Sequence, residues 1–254
     1  MISNEKLLEL YAAMVKCRII GDTHPFLDAT LAGVTSDLLP GDTLVPTHSA
    51  LMPAPFAAMF PPNGKLHSNA APKQNGHVPA DPLTVAYEAA TASRAAKTAG
   101  VAVVICTPAD TSQKAWQKKM SIASRRNLPL LIVCAHDSAP AIPPPRAQKN
   151  GNPQALAFGI PVIAVDALDV VAVYRVASES IARARQRRGP TLIESVANSA
   201  LNQAATNGRS PHRDAIQVME AYLSGKGLFS PEVSRSIADK IRRELNAASR
   251  FQSN

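Results

Sequence analysis

Residues 161–195 read PVIAVDALDVVAVYRVASESIARARQRRGPTLIES. The β-branched run PVIAVDA is followed by Asp169, a residue type that caps helices by accepting their first unpaired N–H groups. Beyond it Val170, Val173, Ala177, Ile181 and Ala184 recur at three- and four-residue spacing, the stripe of a helix with one buried side. Gly189-Pro190 stops that helix, and TLIESV follows as an apolar run too short for another. Strand, capped helix and strand in this order make a unit whose two strands lie parallel, joined by a right-handed crossover.

The same alternation extends in both directions. Upstream, Val101–Cys106 and LPLLIVCA, which ends at His136-Asp137, are strand-like. Between them a helix is expected from about Gln113 to Ser124, with Trp116, Met120 and Ala123 on its inner face. Asp81-Pro82, a cap followed by proline at the first helical position, opens a helix that runs to about Lys97. An amphipathic helix starts the chain, capped by Ser3 or Asn4, with Leu8, Tyr11, Val15 and Ile19 on one face. Downstream, Ser210-Pro211 and Ser230-Pro231 each place a hydroxyl cap before a proline and mark two C-terminal helices within 210–254. The stretch 46–82 breaks the pattern: its eight prolines and lack of periodic apolar positions predict an irregular segment. The expectation is one α/β domain over 1–254, a parallel sheet flanked by helices, with C-terminal helices. Strands near 101–106, 129–135, 161–165 and 191–196 should be parallel neighbours with their carboxyl ends on one edge.

Composition narrows the function classes. The 254 residues are 46% hydrophobic and 18% charged, ordinary for a chain with a large core. No apolar run approaches the ~18 residues that span a bilayer, so no membrane association is expected. Glu5, Lys6 and Glu9 precede any apolar run, unlike a secretory or transit leader, and the expected location is cytoplasmic. Three cysteines, Cys17, Cys106 and Cys134, lack CxxC spacing and read as reduced core thiols. The net charge of +8 is densest at Arg183–Arg188, at a helix end where cations complement the dipole. No aromatic residue interleaves with that patch, which argues against specific nucleic-acid binding. No glycine-rich phosphate loop, nucleophile elbow or HExxH motif occurs.

Ligands of open α/β sheets bind beyond the carboxyl ends of the strands. Here those positions are Thr107-Pro108-Ala109-Asp110 after one strand and His136-Asp137 after the next. Asp110 and Asp137 carry the hard oxygens a divalent cation takes, although a helix cap for Asp110 or Thr111 and a turn at Asp137 explain them equally well.

Several of these segments together resemble the thiamine-diphosphate-dependent α subunit of 2-oxo acid dehydrogenases, the pyruvate dehydrogenase type. LLELYAAMVKCRII is similar to that family's opening helix. ASRAAKTAGVAVVIC, SIASRRNLPLLIVC and the stretch from Ala155 to Ser195 are similar to its central sheet and crossover helix, and VMEAYLSGKGLFSPEVSRSIADKIRREL to its last helices. The resemblance implies a thiamine-diphosphate-binding fold, thiamine diphosphate held through magnesium, and assembly with itself or with a β-type subunit. It also implies a Gly-Asp-Gly turn where Thr107, Pro108 and Ala109 stand, and an Asn-Asn pair where His136 and Asp137 stand. A Tyr-Arg phosphate clamp is implied where His48 and Ser49 lie, and a loop histidine near Gln203. His67 and His77 fall where substrate-facing loops are implied; His24 and His212 lie in polar or proline-rich surroundings. Thr107, Asp110, His136 and Asp137 are therefore the vestigial cofactor-binding positions, Asp110 and Asp137 the metal candidates, and no residue reads as catalytic. The expected protein is a noncatalytic assembly or regulatory homologue without bound cofactor. The competing reading is an active, divergent α subunit that decarboxylates a 2-oxo acid with a β partner.

Overall fold

The computed structural model describes residues 2–20, 27–46, 65–66, 82–111, 114–136, 155–197 and 214–251. Its centre is a seven-stranded sheet in the order β2-β1-β3-β4-β7-β6-β5, formed by β1 (Thr43–Pro46), β2 (Lys65–Leu66), β3 (Ala102–Cys106), β4 (Leu130–His136), β5 (Ala155–Ala157), β6 (Ile160–Asp166) and β7 (Thr191–Val196). All neighbours are parallel except β5, which pairs antiparallel with β6 at one edge. The four strands read from sequence are adjacent and parallel, with their carboxyl ends on one side, so the α/β architecture is as expected.

Both sheet faces are covered, and the strands are apolar on both. On one face Val103, Ile105, Leu131, Val133 and Ile193 pack under α2 (Leu27–Thr35) and α6 (Val170–Arg185). On the other, Val104, Cys106, Ile132, Cys134 and Leu192 pack under α3 (Pro82–Ala95) and α5 (Lys114–Arg125). Asp169 caps α6 as its position predicts, accepting from the N–H groups of Val171 and Ala172. The α2–α6 contact is close because Gly33 has no side chain: a Cβ there would stand 2.7 Å from Val173 Cγ1 and 2.9 Å from the Tyr174 backbone nitrogen.

A third cluster joins the ends of the described chain. α1 (Asn4–Ile20) packs on α7 (Ala215–Gly225) and α8 (Pro231–Phe251) through Leu7, Leu10, Tyr11, Met14, Met219, Leu223 and Ile241. The Tyr11 hydroxyl donates to Glu220 Oε1 at 2.8 Å, lies 2.9 Å from Ser234 Oγ, and its ring meets Phe229 edge-on. Arg18 pairs with the fully buried Asp28 of α2 and with Asp214. Burial alone would raise the Asp214 carboxyl, but hydrogen bonds from Arg18 and the Ile216 N–H hold it below its ordinary value.

The structure corrects several details. The buried face of α1 carries Leu7, Leu10 and Met14 beside Tyr11 and Val15, while Leu8 and Ile19 are only partly covered. The first described C-terminal helix begins at Ala215, where the Asp214 side chain caps it by accepting from the Ile216 N–H; the expected start at Ser210-Pro211 lies outside the described residues. The second is capped by Ser230 as expected. The helix expected from about Gln113 to Ser124 is α5, Lys114 to Arg125, and a one-turn helix that was not expected, α4 (Pro108–Thr111), precedes it. Within 46–82, Pro46 closes β1, Lys65–Leu66 form β2 and Pro82 opens α3; the rest of that stretch lies outside the described residues. None of the three cysteines is in a disulfide, and all three are buried.

Four helices close with the same cap, in which the second residue past the last helical carbonyls folds back to bond the final turn. At α3 Thr98 N–H reaches Ser93 O, at α5 Leu128 reaches Ala123, at α6 Arg188 reaches Arg183, and at α7 Leu228 reaches Leu223. The left-handed residue of the motif is Gly227 at α7, but Lys97, Asn127 and Arg187 at the other three. Beside these caps Asp42, fully buried, accepts from the Leu39 and Val101 N–H groups at 2.7 and 2.8 Å and from both terminal nitrogens of Arg185. Neither Asp42 nor Arg185 announced this role in the sequence.

Candidate functional site

The crossover to β4 runs through α5 on one face, and the crossover to β7 through α6 on the other. β4 and β7 are parallel neighbours reached by crossovers on opposite faces, so the direction of winding along the sheet reverses between them, and such a switch point opens a crevice beyond the carboxyl ends. The crevice floor is built by three strand ends: Cys106–Thr107 of β3, His136 of β4 and Val196–Ala197 of β7. The Ala197 N–H donates to the His136 carbonyl at 3.0 Å, extending the ladder to the last described residue of β7.

Thr107 leaves β3 and caps α4. Pro108 takes the first helical position, where its missing N–H removes no helical bond. Asp110, two residues on, turns back: its Oδ2 accepts from the Thr107 N–H and from Thr107 Oγ1, both at 2.8 Å. The Asp110 N–H in turn donates to the Thr107 carbonyl at 3.1 Å. This is the reciprocal half of a capping box, with aspartate where glutamate is usual. Asp110 is 9% exposed. Thr107 stands at the N-cap position of α4 with Asp110 as its anchor; the start of α5, which Asp110 or Thr111 was expected to cap, lies outside the described residues.

Behind this turn the sheet is polar in one row. Cys106, Cys134, Glu194 and Ala164 are consecutive partners across β3, β4, β7 and β6. Both thiols are fully buried, and Glu194 is 3% exposed. Burial pushes the Cys106 thiol well above its ordinary value, and the neighbouring Cys134 and the Asp110 charge push it further. A buried, protonated thiol is a poor nucleophile. On the opposite face Ser195 Oγ lies 2.6 Å from Thr30 Oγ1 of α2, a bond that ties α2 to β7.

Of the residues singled out by sequence, Thr107, Asp110 and His136 stand at the ends of adjacent strands, and α4 packs against β4. His136 is buried. Asp137, His24, His48, Ser49, His67, His77, Gln203 and His212 lie outside the described residues. Among the described residues no group of three or more His, Cys, Asp or Glu side chains is arranged to hold a metal ion. Glu194 and the Cys106–Cys134 pairing were missed; register alone sets them side by side, and register is not legible in a single strand.

Comparison with known proteins bears on this edge. The model of a family described as "Dehydrogenase E1 component" matches residues 63–198, more than half of the chain. The 2-oxoisovalerate dehydrogenase subunit alpha of Bacillus subtilis is 26% identical over 152 residues, 54% of this chain and 46% of that protein. The pyruvate dehydrogenase E1 component subunit alpha of Acholeplasma laidlawii is 27% identical over 177 residues, 64% of this chain and 51% of that protein. A chloroplastic pyruvate dehydrogenase E1 component subunit alpha-3 of Arabidopsis thaliana is 35% identical over 105 residues, 37% of this chain and 24% of that protein. The chain thus spans about half the length, or less, of the curated relatives it matches. No described helix is long and apolar enough to cross a membrane.

Proposed function

The chain belongs to the dehydrogenase E1 component family, and from that premise we propose that it is a noncatalytic homologue of the 2-oxo acid dehydrogenase α subunit. In this reading it no longer binds thiamine diphosphate and acts as an assembly or regulatory chain, with a β-type subunit or a second copy as partner. Nucleic acid and membrane are not its partners, and its buried thiols suit the cytoplasm.

The observation that carries this reading is the closed turn after β3. Magnesium needs hard oxygen ligands in near-octahedral geometry. The Asp110 carboxylate is already held by two hydrogen bonds from Thr107. Turning it outward would leave the part-buried Thr107 N–H without its acceptor, at about 1 kcal/mol. Pro108 offers a diphosphate no N–H, where an ordinary residue at a helix start offers one. The described residues at this edge, Thr107 to Asp110 and His136, do not by themselves supply the ligand set of a diphosphate held through magnesium. With Cys106 protonated and buried, no described group replaces the lost chemistry with a nucleophile.

Titration calorimetry with thiamine diphosphate and Mg²⁺ is the direct test, on the chain alone and with a β-type subunit. No magnesium-dependent heat is expected at micromolar cofactor, and no CO₂ release from pyruvate above background. Saturable magnesium-dependent binding would favour the other reading, an active divergent α subunit. Asp110→Ala and Asp137→Ala would then have to abolish it.

A further inference from the structure

We propose that the amino edge of the sheet is a docking face for an acidic polypeptide. The three crossover helices α3, α5 and α6 all end at this edge, where the next strand begins. α3 ends with Arg94 and Lys97, α5 with Arg125 and Arg126, and the turn after α6 with Arg187 and Arg188. All but Arg94 are exposed. Among the described residues, the two carboxylates that reach the same edge are occupied: Asp42 by Arg185, and Asp37 by Lys6 at 3.4 Å and Ser178 Oγ at 2.6 Å. Glu88 and Glu179 stand further back on the bodies of α3 and α6. Three helix C-termini bring about half a negative charge each, so six cations still leave a clear positive excess.

The backbone supplies a second observation. Lys97 and Arg187 sit at φ 54° and 59°, the left-handed position of the helix cap, where α7 has Gly227 at 69°. Glycine is the residue that conformation favours. At two caps on this edge a cation stands there instead, so charge is kept against the local backbone preference. Between α3 and α5 the edge also holds a cavity of about 420 Å³ lined by Thr91, Arg94, Ala95, Arg126 and Leu128. Arg94 is steadied by donating to the Asn127 carbonyl at 3.1 Å. Two guanidinium groups around one cavity suit the forked geometry of a carboxylate.

Carboxylates fit this face better than a nucleic-acid backbone. Phosphates settle at helix N-termini, and this edge presents C-termini. In sequence none of the six cations alternates with an aromatic residue on which a base could stack.

The test is binding of fluorescent poly-L-glutamate, followed by anisotropy at about 100 mM salt. The paired variant K97G/R187G removes two charges from the face and also relieves both left-handed positions. Its melting temperature is expected to rise by about 2–4 °C, while affinity falls about tenfold, so weaker binding cannot be misfolding. R242Q/R243Q removes the same charge from two exposed residues of α8 and should leave affinity within about twofold. Equal loss in both pairs would overturn the proposal in favour of net charge alone. Unchanged affinity in K97G/R187G would overturn it too, as would tighter binding of a duplex DNA that the same pair abolishes.

Discussion

Asp42 and Asp110 are both buried carboxylates at the ends of one parallel sheet, Asp42 at the amino edge and Asp110 at the carboxyl edge. Asp42 binds groups far away in the chain: the Val101 N–H, 59 residues on, and the Arg185 guanidinium, 143 residues on. Asp110 binds Thr107, three residues back. One carboxylate clamps β1, β3 and α6 together, while the other shapes a single turn. Asp42 is therefore coupled to distant parts of the fold, whereas the hydrogen bonds described for the Asp110 carboxylate stay within its own turn. On the function proposed above, that difference would let a chain keep its sheet while single residues at the turn after β3 change.

The comparison breaks first at Asp42. Asp42→Ala leaves the Arg185 charge and two N–H groups without their acceptor, and should lower unfolding free energy by about 3–5 kcal/mol. Urea denaturation measures this directly; a loss below about 1 kcal/mol would mean that the clamp holds nothing. The next effect lies on the carboxyl side and depends on pH. Burial raises Cys106, with help from Cys134 and Asp110, and burial raises Cys17, with help from Asp28. A thiol raised in the folded chain contributes stability below its unfolded value, near 8.5–9, and loses it as pH rises further. Stability should thus fall above about pH 9 by about 1.4 kcal/mol per thiol per pH unit. Cys106→Ala should remove one thiol's share of that slope, and an unchanged slope would place the thiol outside the core. The smallest effect is Asp110→Ala, about 1 kcal/mol, the usual loss for a helix-terminal side-chain bond. A cost rivalling that of Asp42 would erase the distinction between the two edges.

The same contrast explains what could be read in advance. β3, β4, β6, β7 and α6 were legible because each carries an apolar run or stripe bounded by a cap or a Gly-Pro stop. α2 was not, since all nine of its residues are buried, between the sheet and the third cluster, and no polar face marks a period. Its Asp28 and Thr30 look like surface residues until Arg18 and Ser195 appear as partners. β1 is four residues long and ends in Pro46, and β5 is three, both below what periodicity resolves. The strand ends read from sequence put Thr107, Asp110 and His136 on one edge of the sheet, where they stand. The direction of the Asp110 carboxylate was hidden, because capping and metal ligation use the same residue type.

The cluster of α1 with α7 and α8 has a consequence for synthesis. Tyr11 bonds Glu220 and Ser234, 209 and 223 residues later. At about 5–20 residues per second a ribosome takes on the order of 10–40 s to make that interval. Throughout it Leu7, Leu10 and Met14 have no apolar cover from the last helices, so the nascent chain is open to wrong partners until its end emerges. A truncated product lacking α8 would carry that exposure permanently, which makes it a natural target for chaperones and proteases.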